Sequence, residues 1–171
     1  MQKIVITGGP SIGKTTLVEI LASRGYAVVP EAARIIIEEE KLKVSGVLPT
    51  GEFAKFQELV FKRQLELEAG ASGDVVFFDR GIVDGIGYCK CYGLPLPEGL
   101  DAAAKTNRYD KVFILDPVGK YEADGVRFSG AEKDKDVHPF IEAAYREYGY
   151  YPTVVPALTP DDRVDFILAN I

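Results

Sequence analysis

Residues 8–15 read Gly8-Gly9-Pro10-Ser11-Ile12-Gly13-Lys14-Thr15. Before them runs Lys3-Ile4-Val5-Ile6-Thr7, short, apolar and rich in β-branched residues; after them Leu17, Val18, Ile20 and Leu21 form an apolar helical stripe. A glycine-rich turn that joins a buried strand to a helix leaves few folds open. The octapeptide fits G-x-x-x-x-G-K-[ST] at every position. Its glycines let the backbone curl until successive N–H groups converge on an anion. The helix opening near Lys14 adds the positive end of its dipole. Gly8, Gly9, Pro10, Ser11, Ile12, Gly13, Lys14, Thr15 and Thr16 are therefore the expected nucleotide-phosphate cradle. Lys14 is expected at the β- and γ-phosphates of ATP or GTP and Thr15 on Mg²⁺.

The rest of the chain alternates in the same way. Strands are expected at 3–7, 26–29, 74–79, 111–115 and 153–155. Helices are expected at 14–23, 31–43, 52–69, 82–92, 98–106, 137–148 and 160–169. Thr159 is the expected cap of the last helix and Pro160 its first residue. Such alternation predicts an α/β fold of three layers, with a parallel sheet covered on both faces and ligands at the carboxyl ends of its strands. With 171 residues and 47% hydrophobic content, one domain over 1–171 is expected. The polar, glycine-hinged segment 120–136 is read as a lid. On the 31–43 helix Ile35, Ile36 and Ile37 are expected to bury, and Glu38, Glu39 and Glu40 to face water. On the 52–69 helix the recurring stripe is Phe53, Phe56, Leu59, Val60, Gln64 and Leu67.

A net charge of −6 argues against general nucleic-acid binding, which needs clustered Lys and Arg. No apolar run reaches the roughly 20 residues of a membrane span and no signal-peptide pattern opens the chain, so a cytoplasmic location is expected. Cys89 and Cys91 read as reduced structural thiols. They cannot complete a zinc site, and the single histidine, His138, lies far from them in sequence. His138, just before Pro139 at a helix start, reads as local structure.

Val75-Val76-Phe77-Phe78-Asp79 is an apolar strand that ends in a carboxylate. With the glycine loop it makes a second Mg²⁺ element, and Asp79 joins Thr15 as a metal residue. A guanine-reading N-K-x-D after a later strand is missing, as is a transporter-type signature loop. What remains is a small kinase-like protein with a second pocket for an acceptor. Glu31, just past the second strand, is the candidate base or acceptor-positioning carboxylate. Arg34 one turn on, Gln57 on the long helix and Arg80 beside Asp79 are candidate substrate-binding residues. Arg127, in the lid segment, is the candidate for neutralising charge that develops during transfer. The candidate catalytic set is Lys14, Glu31, Asp79 and Arg127.

Read together, Ile4 to Thr16, Val29-Pro30-Glu31-Ala32-Ala33-Arg34, Phe77-Phe78-Asp79-Arg80-Gly81, Asp124-Gly125-Val126-Arg127 and Arg163-Val164-Asp165-Phe166-Ile167 resemble the NadR-like AAA-type P-loop family. That family includes a ribosylnicotinamide kinase domain and eukaryotic relatives described as GTP-binding, phosphoinositide-linked transport proteins. The resemblance spans nearly the whole chain. It implies a five-stranded parallel sheet in the order 2-3-1-4-5, ATP or GTP with Mg²⁺, acceptor-side roles for Glu31 and Arg34, and a lid role for Arg127. Two functions are expected to compete. One is a kinase that phosphorylates a small, nucleoside-like hydroxyl acceptor. The other is an ATPase or GTPase switch whose output is protein or phosphoinositide binding.

Overall fold

Strict alternation of side chains along a short strand buries both of its faces only if helices cover each side, and this chain provides them. The computed structural model describes residues 1–43, 46–49, 51–116 and 136–171. Its strands are β1 (Gln2–Thr7), β2 (Ala27–Val29), β3 (Val75–Asp79), β4 (Lys111–Leu115) and β5 (Thr153–Val155). They form one parallel sheet in the order β2-β3-β1-β4-β5. The described helices are α1 (Lys14–Ser23), α2 (Ala32–Lys41), α3 (Phe53–Ala69), α4 (Ile82–Tyr92), α5 (Leu100–Thr106), α6 (His138–Glu147) and α7 (Pro160–Leu168).

The two faces of the sheet divide the core. Ile4, Ile6, Phe77, Phe113, Leu115 and Val155 meet Leu17, Val18 and Leu21 of α1 and Val164 and Ile167 of α7. Val5, Val76, Phe78 and Val112, one residue out of step, meet Phe61 of α3, Ile82, Val83 and Ile86 of α4, and Ile141 and Tyr145 of α6. This is the period of two expected of strands covered on both sides. The β1–β3 register pairs Ile6 with Asp79, so the glycine loop after β1 and the residues after β3 emerge side by side at one sheet edge.

Gly87 explains how α4 tolerates its glycines. A Cβ there would lie 2.8 Å from Ile141 Cα, so the glycine permits the close α4–α6 crossing that places the start of α6 beside the loop. Thr159 caps α7 as expected, its hydroxyl accepting from the Asp162 N–H. Cys89 and Cys91 are buried and form no disulfide, and burial pushes the Cys89 thiol up to about 11.

Two surface expectations are overturned. Glu40 is buried; its carboxylate accepts from the Lys43 ammonium and, at 2.8 Å, from the Val47 N–H. Glu39 forms a two-bond pair with Arg63 at 2.9 and 3.0 Å. Only Glu38 of the three is an open surface residue, and of the three isoleucines only Ile36 is fully buried. On α3 the buried line is Phe56, Gln57, Phe61, Gln64 and Glu68, while Leu59 and Val60 are half-buried. Gln64 and Glu68 turn inward because buried polar partners await them: Gln64 Nε2 donates to Glu68 Oε1 at 2.9 Å, and the Tyr109 hydroxyl donates to the same oxygen at 2.6 Å. No helix among the described residues is long and apolar enough to cross a membrane.

Candidate active site

Gly8 and Gly13 take φ of +130° and +92°, and Ser11 also enters the left-handed region at +53°. These angles bend the loop between β1 and α1 into a cradle. A Cβ on Gly8 would lie 2.5 Å from Ile12 Cδ1, a side-chain tip that can shift, so it is the positive φ that calls for the first glycine. Lys14 is buried, and its ammonium donates back across the loop to the Gly9 carbonyl. Burial first, and then the charge of Arg80, pull the Lys14 ammonium down to about 7.

Asp79 ends β3 beneath the loop. Its Oδ2 accepts from the Thr15 hydroxyl at 3.0 Å, while Oδ1 is buried without a hydrogen-bond partner. Burial, and next the charge of Glu31, push the Asp79 carboxyl above its usual range. A buried oxygen left without a partner costs stability, and here it stands beside a hydroxyl one turn into the phosphate helix. That donor set fits Mg²⁺. This cation takes few protein ligands and fills its remaining positions with water and phosphate oxygen. Among the described residues no group of three or more His, Cys, Asp or Glu could cage a metal.

Arg80 has φ +73°, uncommon for a non-glycine residue and a form of strain that gathers at functional sites. The turn sends its side chain back under the loop. Nε donates to Glu31 Oε1 at 2.8 Å, and Nη1 donates to the Gly8 carbonyl at 2.9 Å and to Asp84 Oδ1 at 3.0 Å. The guanidinium also lies over the Tyr88 ring, 5.4 Å from its centroid. Burial would raise the Glu31 carboxyl, but Arg80 and Lys14 outweigh it and hold Glu31 below its usual range. Glu31 is thus ionised at neutral pH and faces the cradle.

Glu31, Arg34, Thr15 and Asp79 line one cavity of about 340 Å³, between α1 and α2 and walled by Val18, Val28 and Ile35. Arg34 is exposed at its rim. Gln57 is 6% exposed and makes no hydrogen bond among the described residues. It shares the inward line of α3 with Gln64, whose amide approaches the Arg80 carbonyl at 3.4 Å. Arg127 and segment 120–135 lie outside the described residues.

Three site-forming residues carried no site role in the sequence. Asp84 accepts from Thr7 Oγ1, Arg80 Nη1, the Gly81 N–H and the Tyr145 hydroxyl, so both of its oxygens are satisfied. It fixes Arg80 in place. The only local signal was Arg80 and Asp84 at i, i+4, a spacing too common to single out. Arg163 of α7 donates to the carbonyls of Ile12, Asp116 and Pro156 at 3.0, 2.7 and 2.9 Å. It thereby ties the phosphate loop to the ends of β4 and β5. His138 is the third. It is more than local structure: Nδ1 accepts from the Gly9 N–H at 3.1 Å.

The family described as AAA domain matches residues 3–163. Nucleoside-triphosphatase THEP1 of Aquifex aeolicus (strain VF5) is 27% identical over 188 residues, covering 99% of this chain and 97% of that protein. Among solved structures, NadR protein in complex with NR superposes with a TM-score of 0.72 at 22% identity over 98% of this chain. This chain spans about half of that one, 51% of its length. Deoxyadenosine kinase from M. mycoides, with products dCMP and a flexible dCDP bound, superposes with a TM-score of 0.67 at 17% identity, covering 99% of this chain and 97% of that one.

Proposed function

The chain belongs to the AAA-domain family of P-loop proteins, and on that footing we propose that it is a Mg²⁺-dependent kinase acting from ATP, or GTP, on the hydroxyl of a small nucleoside-like acceptor. The observation that carries this reading is the Glu31–Arg80 pair. It is an ionised carboxylate held at 2.8 Å by a buried guanidinium, at the mouth of a cavity that also reaches Thr15 and Asp79. A simple nucleotide clamp needs no such second carboxylate, whereas an acceptor hydroxyl does.

In this reading the loop N–H groups and Lys14 hold the phosphates. Thr15 and Asp79 would hold Mg²⁺, which would supply positive charge against the phosphates. Glu31 accepts the hydrogen bond of the acceptor hydroxyl and aligns its oxygen with the γ-phosphorus. The O–P bond to the acceptor forms, the bond to the diphosphate breaks, and the hydroxyl proton passes to Glu31 or to solvent. Phosphoryl transfer has a loose transition state, so a weak base suffices and alignment supplies most of the gain. Arg34 at the rim and Gln57 on α3 would contact the acceptor. Arg127, from the 120–136 lid segment, would meet the charge on the transferring group. A nucleoside-like acceptor is supported by the kinase of the same fold described with dCMP and dCDP and by the family resemblance of the Glu31 and Arg80 segments.

A second reading, a nucleoside triphosphatase or nucleotide switch that uses water in place of an acceptor, is supported by THEP1, which aligns along the whole chain. The deciding experiment measures diphosphate release from ATP and GTP with Mg²⁺, with and without pools of nucleosides and small metabolites, against Lys14→Ala. Release that jumps with one pool and vanishes in the variant is expected of the kinase. Release that depends on Lys14 but ignores every pool would replace the kinase reading with the triphosphatase one.

A further inference from the structure

The peptide between Gly8 and Gly9 is held from both sides. Its carbonyl accepts from Arg80 Nη1 at 2.9 Å and its N–H donates to His138 Nδ1 at 3.1 Å. The next carbonyl, on Gly9, accepts from Lys14. Arg80 and Lys14 come from elements flanking the cradle. His138 is the first residue of α6, 129 positions away in the chain. The ring also packs against the loop: a Cβ on Gly8 would lie 3.4 Å from His138 Cε1, and one on Gly9 3.4 Å from His138 Cβ. The backbone N–H of His138 donates to Asp136 Oδ1 at 3.1 Å, which fixes the ring's point of attachment.

We propose that His138 is a positioning residue of the phosphate loop, holding the first turn of the loop in its phosphate-accepting shape, and that it does so only as the neutral imidazole. The proposal rests on the nucleotide-binding reading of that loop. Nδ1 receives a hydrogen bond, so the lone pair sits there and the proton sits on Nε2. A second proton would set an N–H of the ring against the N–H of Gly9. It would also add a positive charge next to Arg80 and Lys14, which bond the two carbonyls on either side. Among the described residues, the charged groups on the elements around this corner are these. Asp136 precedes the helix and takes the backbone N–H. Asp116 follows Leu115, whose carbonyl borders Gly8. Asp84 of α4 is engaged by Arg80, Gly81, Thr7 and Tyr145. Arg163 binds the carbonyls of Ile12 and Asp116. Among the described residues the ring's one hydrogen bond is that with Gly9, and none of their carboxylates bonds the ring. Acidification is therefore expected to release the clamp and loosen the turn that Lys14 and Arg80 share.

The test measures the affinity of Mg²⁺ and a non-hydrolysable ATP analogue for tag-free wild type, His138→Ala and His138→Asn between about pH 5.5 and 8.5. Asn places Oδ1 near the position of Nδ1 and accepts at every pH in that range. At pH 8, His138→Ala is expected to bind roughly 5- to 20-fold more weakly, on the scale of one buried hydrogen bond, and His138→Asn within about threefold of wild type. On acidification, wild type should fall toward His138→Ala while His138→Asn falls less. Protonation of the nucleotide and of Lys14 is common to all three proteins and cancels in that comparison. Unchanged affinity of His138→Ala at pH 8, or parallel acid losses in wild type and His138→Asn, would overturn the proposal. A readout free of nucleotide separates its failure from that of the nucleotide reading. The chain has one histidine, so a single imidazole appears in a long-range ¹⁵N–¹H spectrum. The Nε2–H tautomer at pH 8 is expected, and the Nδ1–H tautomer refutes the clamp whether or not nucleotide binds.

Discussion

Arg80 Nε donates to Glu31 Oε1 across 2.8 Å, joining the residue after β3 to the residue before α2 directly beneath the phosphate loop. The pair sets the charge state of the Glu31 side of the cavity. Arg80 is held by Asp84 behind it and the Gly8 carbonyl above it, so the guanidinium is fixed and Glu31 is fixed by it. Several outcomes depend on this geometry.

Glu31→Gln is expected to leave nucleotide affinity within about threefold while slowing transfer by ~10²-fold or more, the usual contribution of a placed acid–base group. Single-turnover transfer alongside analogue binding separates the two. Transfer at the wild-type rate would remove Glu31 from the reaction.

Lys14 gives a proton-linked prediction. Its ammonium is lowered to about 7 in the free protein by burial and the nearby Arg80 charge, so at pH 8 most copies have lost the proton. Phosphate oxygens favour the charged form, and nucleotide binding at pH 8 should therefore take up a proton. Calorimetry in two buffers of different ionisation enthalpy should show that uptake in wild type and its loss in Lys14→Met.

Asp79→Asn is expected to stabilise the nucleotide-free protein while impairing Mg²⁺ use. The Asp79 carboxyl is raised above its unfolded value. Between the two values the folded chain retains a proton that the unfolded chain releases, so this group's contribution to stability falls as pH rises through that window. Replacing one carboxylate oxygen with an amide NH2 removes the buried negative charge while the amide oxygen can still accept from Thr15, which should gain about 1 kcal/mol, read as a thermal midpoint about 3 °C higher at pH 7.5. The Mg²⁺ concentration giving half-maximal turnover should rise in the same variant. A lower midpoint would show that Asp79 is not the source of strain.

Gly87→Ala tests the helix crossing that delivers α6. Its Cβ would sit 2.8 Å from Ile141 Cα and 3.0 Å from Ile141 Cγ1. Backbone cannot yield as a side-chain tip can, so a loss of about 1–3 kcal/mol is expected from overpacking. Urea denaturation measures it, and Gly93→Ala, where a Cβ meets nothing within 4 Å but φ is +67°, separates backbone strain from collision.

Much of the site was legible because its chemistry is written in short windows. The cradle occupies eight consecutive residues, Asp79 follows four apolar residues of one strand, and Glu31 sits just past the second strand. In a parallel sheet, strand ends mark ligand positions, so placing those residues at strand ends placed them near one another. Gln57 and Glu40 show the opposite case. On composition both belong on a wet helix face, yet both are buried, because the neighbouring surface of the fold, and not the residue type, decides which stripe of a helix turns inward.

The sequence by itself determined the α/β alternation, the phosphate loop and the carboxylates at the strand ends, since each rests on periodicity or on spacing within a few residues. Tertiary structure alone decided which distant side chains complete the loop. Asp84 meets Thr7 across 77 positions, His138 meets Gly9 across 129, and Arg163 meets Ile12 across 151. Those meetings depend on the sheet order β2-β3-β1-β4-β5 and on the closeness of the α4–α6 crossing. A hydrogen bond requires its atoms within about 3 Å, a condition that no local pattern in the chain encodes.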